Sequence, residues 1–203
     1  MNDFLIYGRL GFDHITDPGG YDHILFVVAL CAVYTIRQWR QVLVLVTAFT
    51  IGHSITLALA TLRIIEYRTD IIELLIPITI LITAGTNLFF RETTGPVRTT
   101  TRWSNPSARY VLALAFGLIH GMGFSNYLRS LLGRETDIVQ PLLAFNVGLE
   151  LGQLVIVSLV LALGYVVIDW ARVSRLRWVL IVSGVVIGMA ISLILNNPLV
   201  GGQ

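Results

Sequence analysis

QVLVLVTAFTIGHSITLALATL, residues 41–62, decides the architecture of this chain. It carries no charged residue, and at about 1.5 Å of rise per residue it makes a helix of about 33 Å, enough to cross a hydrocarbon core of about 30 Å. Working outward, five further stretches are comparably long and apolar: 21–38, 71–90, 108–129, 138–168 and 177–196. Of the 203 residues, 55% are hydrophobic and 13% charged, whereas a soluble domain has about a quarter charged. The expected fold is therefore all-α, a polytopic membrane protein built as a six-transmembrane-helix bundle over 21–203. No connection is long enough to bury a core of its own. Residues 1–20 are expected to form a short extracytoplasmic segment, amphipathic on Phe4, Leu5, Leu10 and Phe12 and lying on the outer surface.

Every basic residue is arginine. With six spans, one side carries Arg9, Arg63, Arg68, Arg129 and Arg134; the other carries Arg37, Arg40, Arg91, Arg98, Arg102, Arg109, Arg172, Arg175 and Arg177. Positive charge collects on the cytoplasmic side, so both termini are expected outside. A net charge of +2 is too small for a nucleic-acid partner. Cys31, the single cysteine, has no partner for an internal disulfide.

Polar and ionisable side chains inside a span are costly and by default mark function. They fall in four motifs: HITDPGGYDH (14–23), TAFTIGHSITL (47–57), FGLIHGMGFSN (116–126) and FNVGLELGQL (145–154). These contain all four histidines: His14, His23, His53 and His120. Counting rise from the cytoplasmic end puts His53 and His120 roughly 18 Å deep, just beyond mid-bilayer. Glu150, with Asn146 and Gln153 on the same helix face, comes to a similar level from outside. Asp22 and His23 stand nearer the outer rim. Glycines beside His120 and in 148–152 let their helices approach closely.

Imidazoles with carboxylates, and no thiolate, suit zinc, nickel or cobalt. The candidate ligands are His23, His53 and His120 with Asp22 or Glu150, and His14 as an outer ligand. Asn146, Gln153, Thr50 and Ser54 are the candidate ring-orienting partners. Asp22 also reads as a helix N-cap after PGGY, and any one of these residues alone reads as an interhelical hydrogen-bonding group.

At GYDHILF, TAFTIGHSITL, FGLIHGMGF and FNVGLELGQL the chain resembles the HupE/UreJ family of bacterial membrane proteins, from about residue 8 to about 170. The resemblance implies a six-helix inner-membrane protein associated with nickel or cobalt uptake. The family patterns HxxxxxDH and FHGxxHGxE map onto His14, Asp22 and His23, and onto His120 with Gly121. Here seven residues separate His14 from Asp22 instead of five, Phe116 stands where the second motif has its first histidine, and Gly123 replaces its acid.

The leading expectation is a divalent-metal permease with its site in the outer half of the bundle, its partners being the ion and membrane lipid. The alternative is an intramembrane zinc hydrolase or acyltransferase acting on a lipid or lipoprotein, with Glu150 or Asp22 as general base. A third reading is a structural protein whose polar face meets another subunit.

Overall fold

A computed structural model describes residues 3–89, 106–132 and 138–201. Among these residues the structure is all-helical. Helices α1 (Asp3–Thr16) and α2 (Asp22–Cys31) are followed by a 3-10 turn (Ile36–Gln38) that leads into α3 (Trp39–Thr61). Then come α4 (Thr69–Asn87), α5 (Pro106–Gly123), α6 (Ser125–Leu132), α7 (Val139–Tyr165), α8 (Arg175–Leu195) and the short α9 (Pro198–Gly201). The expected long loop over 91–109 lies mostly outside the described residues.

Four helical segments are long and apolar enough to cross a membrane: Ile36–Thr61, Thr69–Asn87, Val139–Trp170 and Arg175–Leu195. A fifth forms if α5 and α6, bent by 47° at Phe124, count as one. Six were expected, and the interval 21–38 is the one that falls short. It contains only α2, whose ten residues extend about 15 Å. The helix stops at Cys31, and Thr35 begins the next, its N–H bonded to the Gln38 side chain at 3.2 Å.

Two tight pairs organise the bundle. In the first, α3 and α5 run parallel with backbones in contact: Gly52 lies against Leu114 and Leu118, Gly117 against Phe49 and His53, and Gly121 against the His53 carbonyl. A Cβ at Gly117 or Gly121 would overlap carbonyl oxygens of α3, so the glycines are what allow this separation. In the second, α1 lies along the first half of α7, also parallel, with Gly8 on Gly148, Gly11 on Phe145 and Ile15 on Gly152. The N-terminal segment is thus a helix built into the bundle. Helix α4 runs antiparallel to α5, with Thr79 beside His120 and Asn87 beside Arg109. Along α7 every fourth side chain is exposed, through Leu143, Val147, Leu151, Val155, Leu159 and Leu163. That stripe is the apolar face a spanning helix turns to lipid.

Between α1 and α2 the sequence breaks the helix for plain reasons. Asp17 precedes a proline, which disfavours helical backbone at that residue. Its carboxylate accepts the Gly19 N–H at 2.8 Å, closing an Asx turn.

Candidate metal centre

That break sets the last turn of α1 next to the first turn of α2, and the two meet α3 and α5 inside the bundle. Four imidazoles converge there. Ring centroids lie 4.6 Å apart for His14 and His23, 6.1 Å for His14 and His53, 6.1 Å for His23 and His53 and 5.1 Å for His23 and His120. One ring nitrogen from each of His14, His23 and His53 lies within 4.8 Å of the others. His120 adjoins this triad through His23. His53 and His120 share a level, as the helical rise requires, because Gly121 packs on the His53 carbonyl.

The hydrogen bonds orient the rings. A carboxylate only accepts, so the 3.1 Å contact between Asp22 Oδ1 and His23 Nδ1 puts the proton on Nδ1. In the neutral ring this leaves the lone pair on His23 Nε2, which is buried and has no hydrogen-bond partner among the described residues. Thr79 has one hydroxyl proton and gives it to the Ile76 carbonyl at 2.7 Å. With that proton so placed, His120 Nε2 donates to Thr79 Oγ1, at 2.9 Å, and in the neutral ring the lone pair falls on the buried Nδ1. Both nitrogens of His53, and Nε2 of His14, are likewise buried without a partner. Rings this close cannot all carry charge, since a buried charge is costly unless an opposite one pairs with it. Buried polar atoms are normally bonded. Neutral imidazoles with free lone pairs are what a divalent transition metal binds.

Asp22 has a second task. It is the first residue of α2, and Tyr21 occupies the cap position without a side-chain cap bond. The Asp22 carboxylate takes the His23 backbone N–H at 2.9 Å. A helix N-terminus carries about half a positive charge, which opposes a cation, and a carboxylate in that turn offsets it. The N-cap expectation is corrected to this first-turn role.

The other expected residues sit differently. Glu150 accepts the Thr47 hydroxyl at 2.7 Å and is outside the group of converging ligand atoms. The expected ring-orienting residues bond elsewhere: Thr50 to Gln153 at 2.8 Å, Ser54 to the Thr50 carbonyl, Asn146 to the Leu142 carbonyl. The residues that do bond the rings are Asp22 and Thr79. Thr79 escapes a reading of the sequence because a lone threonine in a span usually bonds its own helix; its partner on α5 is the missing signal.

Aromatic rings wall the cluster. Phe124 lies 3.9 Å from His14 between ring centres, and Phe26 and Phe49 lie 4.9 Å and 5.2 Å from His120. An apolar wall controls water access and strengthens polar contacts inside it. On one side it opens: a cavity of about 520 Å³ reaches His14, lined by Asp13, Asp17, Phe124 and Tyr127 among others.

A family model described as HupE / UreJ protein matches residues 1–197, nearly the whole chain. No curated protein and no solved structure matches it.

Proposed function

The chain belongs to the HupE/UreJ family, and from that premise we propose that it is a divalent-metal permease of the nickel and cobalt type. It is a multi-pass membrane protein. The observation that carries the proposal is the set of buried imidazole nitrogens from α1, α2, α3 and α5, gathered together with no hydrogen-bond partner among the described residues. The ion, as cargo, takes His14, His23 and His53 as ligands with His120 beside them. Nitrogen donors of this kind suit nickel, cobalt and zinc alike, so the residues define a class of ion. The cavity at His14, lined by Asp13 and Asp17, is the mouth on the outer side.

Sidedness follows the same reading. Helix α1 starts at the end of the bundle where α7 starts, and α2 ends where α3 begins. The first 31 residues therefore pass from one end to the other in two pieces, broken at the imidazoles, as in transporters whose discontinuous helices hold the ion. We count that passage as the sixth crossing. With the arginine distribution it supports a bacterial inner-membrane protein with both termini outside.

The hydrolase alternative is less well served, since Asp22 stands behind the His23 ring and Glu150 pairs with Thr47 outside the converging ligand atoms. The test is elemental analysis of purified protein together with cobalt(II) uptake into proteoliposomes. Wild type should bind and accumulate the ion, and a His53→Ala, His120→Ala double variant should do neither. Equal accumulation by both proteins refutes the reading.

A further inference from the structure

Helix α4 carries Thr79, Thr83 and Asn87 at spacings of four, so they follow one stripe. They are 2%, 1% and 0% exposed. The stripe starts at His120 through Thr79 and descends about 12 Å toward the end of the bundle where α5 begins. Each threonine hydroxyl gives its only proton to a backbone carbonyl of its own helix: Thr79 to Ile76 at 2.7 Å, Thr83 to Thr79 at 2.7 Å. What these hydroxyls can offer a neighbour is therefore lone pairs, a column of oxygen acceptors. Buried polar groups inside a span are costly and characteristically line the paths of ions and protons.

The column ends in a closed contact. The Asn87 amide N–H donates to the Ala29 carbonyl of α2 at 2.8 Å, and its oxygen accepts from both terminal nitrogens of Arg109 at 3.4 Å. The Arg109 guanidinium lies 6.0 Å from the Tyr34 ring centre. A fixed positive charge at the foot of a row of acceptors is a barrier to a cation. Pro77, two residues before Thr79, lies inside α4. It removes one backbone hydrogen bond and so weakens the helix there.

We propose that the ion leaves the imidazoles along the Thr79–Thr83–Asn87 face of α4, and that Arg109 held on Asn87 is the gate closing its far end. This rests on the permease reading. It adds a route through the half of the bundle that has no histidine, with an order of events: release from His120, passage along the hydroxyls, displacement of Arg109 from Asn87.

The experiment measures cobalt(II) bound per protein by equilibrium dialysis and cobalt(II) uptake into proteoliposomes holding a metal-quenched dye. Thr83→Val keeps the shape and removes the oxygen; it should bind cobalt as wild type does and take it up about tenfold more slowly, the scale set by stripping a polar group from an intramembrane path. Thr83→Ser restores the oxygen and should restore uptake. Arg109→Gln should leave binding unchanged and let preloaded vesicles leak cobalt several times faster than wild type, on the order of the barrier one charge imposes. Wild-type uptake with Thr83→Val equally fast, or with Arg109→Gln no leakier, overturns the route and leaves the permease reading standing. A wild type that binds cobalt and moves none overturns both.

Discussion

Replacing Asp22 by asparagine tests the metal centre at its most specific point. The amide oxygen can still accept the His23 backbone N–H, now at 2.9 Å, and the ring Nδ1–H, now at 3.1 Å. Shape and tautomer are kept, and one negative charge is lost. Across the ring and one metal–nitrogen bond of about 2.0 Å, the carboxylate stands about 7 Å from an ion on Nε2. At an effective dielectric of about 20, a divalent ion and a carboxylate at that range attract by about 5 kcal/mol. Asp22 is half-buried, so solvent screens part of this. Substitutions behind a metal-binding histidine usually weaken affinity by about 10- to 100-fold. The expectation is thus at least about a tenfold rise in Kd for Asp22→Asn, read by competition with a chelator for zinc or cobalt. The melting temperature of the metal-free protein should not change. An affinity within about threefold of wild type would refute the reasoning, being well below the effect expected of an outer partner, and so would a loss confined to the melting temperature.

Three further outcomes follow from the same geometry. Thr79→Val removes the acceptor that fixes the His120 proton on Nε2, so metal affinity should fall about tenfold while helix content, read by circular dichroism, stays constant. Gly148→Leu sets a side chain into Gly8 and should push α1 off α7. Bound metal should weaken through loss of His14, and protease digestion should reach α1, whereas Gly184→Leu, at a glycine with open space around it, should do neither. Gly121→Val overlaps the His53 carbonyl; overpacking of this kind costs about 1–3 kcal/mol or more, visible as a lower melting temperature in detergent together with lost metal.

The spans at 41–62, 71–90, 138–168 and 177–196 are legible because hydrophobic length is a physical requirement of the bilayer, and α3, α4, α7 and α8 meet it. The shared level of His53 and His120 is legible because helical rise is constant. The placement of His14 is not. Nothing local says that residues 3–16 lie along α7; that depends on Gly8 and Gly11 meeting Gly148 and Phe145 across the chain. The early end of α2 is hidden for a similar reason. The apolar run continues past Cys31, yet the Val33 carbonyl is taken by the Arg175 guanidinium from α8, a tertiary contact that replaces a helical one. Glu150 goes to Thr47, six residues before His53 on α3, while Phe145 stands beside His53, since helical rise alone fixes neither how α7 is staggered against α3 nor which way a side chain turns.

The four histidines are not held alike. His53 and His120 ride on α3 and α5, whose touching backbones make them a single stiff plate. His14 rides on α1, which is packed just as closely on α7, so only His23 stands on a helix joined through a bend, residues 17–21 of Asp, Pro, two Gly and Tyr. A grip with one fixed jaw and one jointed jaw can change its aperture by swinging the jointed side alone. On the permease reading, the bend then sets the size of ion accepted, through residues that are not themselves its ligands.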